Sequence, residues 1–339
     1  MNKQVTPEEY QQKVAELADG EKLNQFAKEF NTFSLQHPKK YYYGNNCENC
    51  SGDDIANAKN VKNTFYAGRV EDLKHCNYVF DAKNCMDYDI YGDHSEWIYQ
   101  GLAQGENCSH NIFCMQTWSN CSNNMYCNLI VGCKNCFGCS GLKHKEYCIL
   151  DKQYTKEEYE ALVPKIIEKM KTDSEWGKFF PFSMSPFAFN ETFAQEYYPL
   201  DKAKIAELGC RYKEPSDIVA ATTDTVSSDE LPPTIDDVTE DICSKVIKCS
   251  KSGRLYQIQK GELAFYKSKR IPLPRLHSEI RHMNRVKKRN PYLLWNRQCN
   301  CNGECQQHHG QCSNKFDTTY SPDRPEKVFC ETCYQNIVK

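Results

Sequence analysis

The residues with the clearest chemistry lie near the C-terminus. Cys330-Glu331-Thr332-Cys333 sets two thiols three positions apart, and Cys299, Cys301, Cys305, His308, His309 and Cys312 lie upstream. Two separated pairs of soft ligands suit tetrahedral thiolate coordination, which selects zinc. Several upstream pairs are available. Cys299 and Cys312 bracket an insertion, and Asn314-Lys315-Phe316-Asp317-Thr318-Thr319-Tyr320 reads as a hairpin strand. The favoured set is therefore Cys299, Cys312, Cys330 and Cys333, in a C-terminal zinc ribbon of knuckle, hairpin and second knuckle. In so short a tail the metal replaces the missing core. Cys301, Cys305, His308 and His309 remain as exposed loop residues or a second, weaker site. A catalytic zinc needs an open position and a general base, and nothing in the tail marks either.

Two further stretches carry candidate chemistry. Cys133-x-x-Cys136-x-x-Cys139, with Cys148 nine residues on, has the spacing that opens an iron–sulfur run, although no proline follows Cys148. The same thiols also fit a packing repeat. Between Lys267 and Arg297 there are ten Lys or Arg and one acid, Glu279. If residues 278–288 are helical, Arg281 and Arg285 share a face. Arg275, Arg281, His282, Arg285, Lys287, Lys288 and Arg289 then grip a phosphate backbone and Trp295 stacks on a base. The competing readings are a solvated face, or an internal partner for an acidic segment upstream. Cys249-Ser250-Lys251-Ser252-Gly253 with Ile271-Pro272-Leu273-Pro274-Arg275 has the outline of a small zinc module. It lacks a ligand set and reads as metal-free.

The element that must position most of this chain is a repeat over residues 47–148. From Ile55 every third residue, through Ala58, Val61, Thr64, Ala67 and Val70 to Tyr91, is almost always small or apolar. Cys121, Cys127, Cys133 and Cys139 fall six apart. On an α-helix each step of three turns about 300°, so the row would wander right round it, and a flat strand alternates by two. A coil of short sides and corners can use the beat. Asparagines beside the row, Asn57, Asn60, Asn63, Asn77, Asn84, Asn107, Asn111, Asn120, Asn123, Asn128 and Asn135, suit left-handed corners. The pattern predicts a β-solenoid (β-helix). With six-residue sides a coil would take about 18 residues, giving roughly five or six coils. The beat blurs over residues 92–107, where a bulged loop holding Trp97 and Tyr99 is expected.

The fold class is mainly β with α: solenoid, flanking helices and zinc ribbon. Residues 1–44 form an N-terminal helical cap. Thr6-Pro7-Glu8-Glu9 starts it with a capping box, and Leu17, Leu23, Phe26, Phe30 and Phe33 line an apolar face that closes the solenoid end. The solenoid takes 45–150. A helical region follows over 151–213, opened by Thr155-x-x-Glu158, with Trp176, Phe179, Phe180, Phe182, Phe187 and Phe189 as an aromatic patch against the solenoid. Residues 214–244 hold nine acids and no Lys or Arg, which reads as an exposed acidic linker. The basic segment spans 245–298 and the ribbon 299–339. The chain of 339 residues has a net charge of −2, so no global field points to nucleic acid or membrane. Its apolar runs are shorter than the ~18 residues of a membrane span, and the N-terminus lacks the apolar centre of a signal peptide. A cytoplasmic protein with reduced thiols is expected. The odd count of 21 cysteines argues the same way.

The stretches Lys134–Leu150, Tyr154-Thr155-Lys156-Glu157-Glu158-Tyr159, Ile271–Arg275, Arg289-Asn290-Pro291 and Tyr320–Glu326 together resemble uncharacterised cysteine-rich proteins of candidate bacterial phyla. The resemblance covers most of the chain from about Cys47 onward. It implies a repeat region joined to zinc-ribbon elements and implies no activity. The insertion between Cys299 and Cys312 departs from it.

There is no Gly-rich phosphate loop, nucleophile elbow or His-Glu-x-x-His helix, which favours a non-enzymatic protein. Three functions fit. The first is a zinc-binding scaffold whose basic and ribbon segments contact nucleic acid, RNA or a ribosomal surface. The second is a protein–protein adaptor using the solenoid face. The third is an iron–sulfur or redox protein using Cys133, Cys136, Cys139 and Cys148.

Overall fold

Every third residue of the repeat stands in left-handed backbone: Asn57, Asn60, Asn63, Tyr66, Arg69, Asp72 and His75 have φ between +49° and +57°. The residue after each of these corners points inward, and Ile55, Ala58, Val61, Ala67, Val70, Leu73, Cys76, Val79, Ala82 and Cys85 are all buried. The beat of three is thus the whole side of the coil, and four sides close a turn. Ile55 pairs with Ala67 and Leu73 with Cys85 in parallel register, each twelve residues on. The solenoid therefore has coils of 12 residues and about 9 turns, where six-residue sides had led to longer and fewer coils. A corner can recur every third position because the left-handed residue turns the chain without a loop.

The computed structural model describes residues 4–217, 219 and 224–338, in two compact units. One unit holds residues 38–188, 202–211 and 291–338, including the solenoid and the C-terminal cysteines. Its parallel strands run from Gly44–Glu48 through Gly52–Lys59, Thr64–Lys74, Asn77–Gln104 and Ile112–Trp118 to Asn128–Val131, then Lys134–Phe137 and Glu146–Ile149. Residues 92–107 are no bulged loop. Residues 92–104 continue the strand Asn77–Gln104, with corners at Trp97, Gln100 and Ala103, and residues 105–107 turn into the next coil. The inward row breaks near Tyr91, which is exposed, resumes at Ser95 and Ile98, and steps by four again from Gln104 to Cys108 and from Thr117 to Cys121. These extra residues shift the register to thirteen, Tyr99 with Ile112 and Met115 with Asn128, before it returns to twelve, as at Cys136 with Cys148.

Cysteine suits the narrow interior for two reasons. Its volume is small and apolar, and its thiol finds an acceptor. The carbonyl of Cys136 already accepts the Met125 N–H at 2.9 Å, and the Cys127 thiol donates to its second lone pair at 3.5 Å. Cys114 to Asn124, Cys121 to Ile130 and Cys139 to Cys148 repeat the arrangement. Burial pushes the Cys76 and Cys85 thiols up to about 12, so they stay protonated at neutral pH. On the outside, corner residues of successive coils form ladders. Asn60 donates to Asp72 at 3.0 Å, Arg69 pairs with Asp81 at 2.6 Å, and the Tyr66 and Tyr78 rings stack 4.8 Å apart.

The helix Lys156–Thr172 begins with the expected capping box at Thr155 and packs Tyr159 and Val163 on Phe137 and Ile149. Trp176 lies against Phe113 and Tyr126 of the solenoid, and Phe180 against Tyr126. Phe182 and Phe187 are exposed, and Phe189 belongs to the other unit.

The other unit holds the described residues up to His37 with 189–201 and 212–290. The N-terminal helices Pro7–Glu16 and Gly20–Gln36 fall here rather than in the solenoid's unit, and Phe26, Phe30 and Phe33 are exposed. The acidic stretch is not an exposed linker over residues 224–244. Leu231, Ile235, Val238 and Ile242 alternate with its acids and share a core with Ile247, Tyr256, Ile258, Leu263 and Leu273. Its strand Thr225–Ser227 pairs with Val246–Lys248. Residues 218 and 220–223 of that stretch lie outside the described residues.

A charge placed on the inward row tests this architecture. Ala67→Glu puts a carboxylate without a partner inside the coil, at an expected cost of several kcal/mol. Lys74→Glu, on an exposed position, should leave the thermal midpoint nearly unchanged. Thermal denaturation followed by far-ultraviolet circular dichroism distinguishes them, and equal midpoints would contradict the assigned interior.

Candidate metal centre

The last forty residues have little apolar matter to bury. Their core is six cysteines with Phe329, flanked by the half-buried Phe316, Tyr334 and Ile337. Strands Trp295–Gln298 and Lys315–Thr318 pair antiparallel, Gln298 opposite Lys315. Cys299 follows the first strand and Cys312 precedes the second, so both thiols stand at one end of the hairpin. Cys330 sits before the helix Glu331–Val338 and Cys333 in its first turn. Four sulfurs thereby converge: those of Cys299, Cys312, Cys330 and Cys333 lie within 4.8 Å of one another, and all four residues are buried. This is the set favoured from spacing. The scaffold differs from a ribbon, because the second pair is carried by a helix start and not by a second strand turn.

The surroundings favour thiolate at Cys330, whereas burial pushes the Cys299 thiol up to about 11 and the Cys333 thiol up as well. The Cys330 N–H points at the Cys299 sulfur at 3.3 Å, and the Asn314 amide donates to the Cys330 sulfur at 3.4 Å. Burial works against ionisation of Cys330. The Asn314 amide and the Cys333 N–H outweigh it and bring the thiol down to about 7. A helix N-terminus adds partial positive charge beside the same sulfurs. Nothing else in the set is a proton-transfer group, so the arrangement can bind a soft cation and hold the chain around it.

A second group shares one ligand with the first. Cys301, Cys305, His308 and Cys333 also bring their ligand atoms within 4.8 Å of one another. Cys301 and Cys305, read from sequence as exposed loop residues or a weaker site, are buried, while His309 is exposed and stands in neither group. The signal was present in the sequence: Cys-x3-Cys-x2-His lies in a stretch, residues 300–311, with no other apolar side chain. Among the described residues these are the only groups of three or more such side chains in reach of one ion, and neither includes Cys133, Cys136, Cys139 or Cys148. Those four thiols point along the solenoid interior and donate to backbone carbonyls.

The basic residues separate into engaged and free. Arg275 donates to the carbonyls of Ser228, Asp229 and Leu231 at 3.3, 3.0 and 2.7 Å. His282 pairs with Glu196 at 2.6 Å, and Arg289 lies over the Tyr197 ring and donates to its hydroxyl at 2.9 Å. Arg270 pairs with Asp236 at 2.7 Å, so part of the acidic stretch is the internal partner of part of the basic one. Arg281 is half-buried. The helix runs Ser278–Val286. Arg285 on it and Lys287 and Lys288 just beyond it are exposed. Trp295 belongs to the other unit, half-buried on its strand opposite Thr318. No helix among the described residues is long and apolar enough to cross a membrane.

No family model matches the sequence, and no curated protein shows significant similarity to it.

The amide on Cys330 offers a direct check. Asn314→Ala removes an outer-shell donor, which typically lowers metal affinity about 10-fold or more. Competition with a chromophoric chelator should show that loss with the fold retained, and unchanged retention would mean that Asn314 does not support the site.

Proposed function

We propose that this protein is a non-enzymatic zinc-binding scaffold that touches a nucleic-acid backbone through the exposed end of the helix Ser278–Val286. The observation that carries the zinc reading is the convergence of four buried cysteine sulfurs within 4.8 Å of one another in a segment whose core is mostly cysteine. Tetrahedral sulfur coordination suits zinc, which has no redox chemistry and contributes folding free energy in modules this small.

The nucleic-acid reading now rests on three side chains. Arg285, Lys287 and Lys288 are exposed, and no acid follows them before Glu304. Three phosphate contacts give weak, sequence-independent affinity that falls with salt. The engaged residues Arg275, His282 and Arg289 hold the fold of their unit instead.

Full-length protein should carry zinc, hold less of it in Cys312→Ser, and bind mixed single-stranded RNA or DNA at low salt. The Arg285/Lys287/Lys288→Ala variant should keep its zinc and flatten the log-affinity against log-salt slope by about 2. Iron with a visible absorption band would overturn zinc. Absence of binding at low salt would leave the adaptor reading, with the solenoid face as the surface.

A further inference from the structure

We propose that the C-terminal module holds two zinc ions bridged by the Cys333 thiolate. One ion takes Cys299, Cys312, Cys330 and Cys333. The other takes Cys301, Cys305, His308 and the same Cys333. The inference rests on the zinc reading above and adds a second site, a ligand set and a shared sulfur.

Three observations carry it. The first is distance. The Cys305 and Cys333 sulfurs are 3.6 Å apart, and the His308 Nε2 is 3.3 Å from the Cys333 sulfur. Sulfurs on one tetrahedral zinc stand about 3.8 Å apart, given Zn–S bonds of about 2.3 Å. The ligand atoms are therefore already at the separations of a coordination sphere.

The second is the histidine tautomer. His308 Nδ1 lies 3.0 Å from the Gly310 carbonyl. A carbonyl only accepts, so Nδ1 carries the proton. In the neutral ring Nε2 then presents its lone pair toward Cys333. A backbone carbonyl on the far nitrogen is the usual outer-shell partner of a zinc-bound imidazole.

The third is the chain between the first two ligands. Residues 300–311 contain neither helix nor strand, and Cys301 and Cys305 are their only buried side chains. Few backbone bonds brace the segment, among them Cys312 N–H to the Cys301 carbonyl at 2.9 Å and Gln306 N–H to the Gly303 carbonyl at 3.0 Å. An ordered loop of this length whose only buried side chains are two thiols needs a cross-link, and a metal supplies one. Cys333 is the only member of both groups. A thiolate has lone pairs enough for two ions, so seven side chains fill eight coordination positions.

Native mass spectrometry of the full chain, with zinc quantified independently, tests this. Wild type should carry two zinc ions, Cys305→Ser and His308→Ala one, Cys312→Ser one at most, and Cys333→Ser none held tightly. In cadmium-113-substituted protein two resonances should couple through the shared sulfur. A single equivalent in wild type overturns the bridge and leaves the first site standing. Two ions that both survive Cys305→Ser and His308→Ala overturn the assigned ligands. Zero zinc overturns the underlying reading as well. If Cys305→Ser does not fold, the wild-type count and His308→Ala decide.

Discussion

A left-handed residue at every third position governs the larger unit. For residues other than glycine this conformation costs on the order of 1 kcal/mol each, and the chain adopts it at nearly every corner from Asn57 to Leu150. Parallel backbone bonds between coils, and side-chain ladders such as Asn60 with Asp72 and Arg69 with Asp81, offset the cost. Corners this frequent leave a coil of four three-residue sides, and its interior admits one small side chain from each. Leucine, isoleucine and valine fill it near the start, and cysteine, asparagine and threonine later. The asparagines are tolerated because their amides find acceptors inside the coil: the Asn124 amide reaches the Cys133 carbonyl at 3.0 Å and the Asn111 side-chain oxygen at 2.9 Å.

The cysteine module meets the first coils of that solenoid. Lys39–Lys40 pairs in parallel with Val328–Phe329, the Thr319 hydroxyl donates to the buried Asp53 carboxylate at 2.5 Å, and Tyr41 lies 4.8 Å from Phe316. An open solenoid end exposes unpaired backbone and apolar interior. Here the cover comes from residues far along the chain. The module that gathers the six cysteines thereby also finishes the solenoid, so the packing of the cysteine cluster and of the repeat are linked through one set of contacts.

In the other unit, segments of opposite charge are interleaved by their apolar residues. Acids of the 214–244 stretch face outward or meet Arg254 and Arg270, while Leu231, Ile235 and Ile242 turn inward. This geometry ties up Arg270, Arg275 and Arg289 and leaves Arg285, Lys287 and Lys288 as a short exposed run, with Lys267 and Lys269 exposed on the separate helix Lys260–Lys269, and it makes the acidic stretch part of a core.

By itself the sequence determined the interior row, eight of the eleven asparagine corners (Asn77, Asn111 and Asn128 are not left-handed, and Asn111 is buried inside the coil) and the four thiols of the first cysteine group. Each is a local or strictly periodic feature: a period of three excludes helix and flat strand, and Cys330-x2-Cys333 can chelate wherever it is placed. It did not determine the coil length, because a beat of three is compatible with three-residue and six-residue sides, and only the register of Ile55 on Ala67 separates them. Tertiary structure alone decided which cations stay free, since the carbonyls that hold Arg275 and the carboxylate that holds His282 lie more than forty residues away in sequence. It likewise decided that Cys301, Cys305 and His308 meet Cys333. Convergence of ligands from a loop and a distant helix start depends on how the hairpin and helix pack, and no spacing rule encodes that distance.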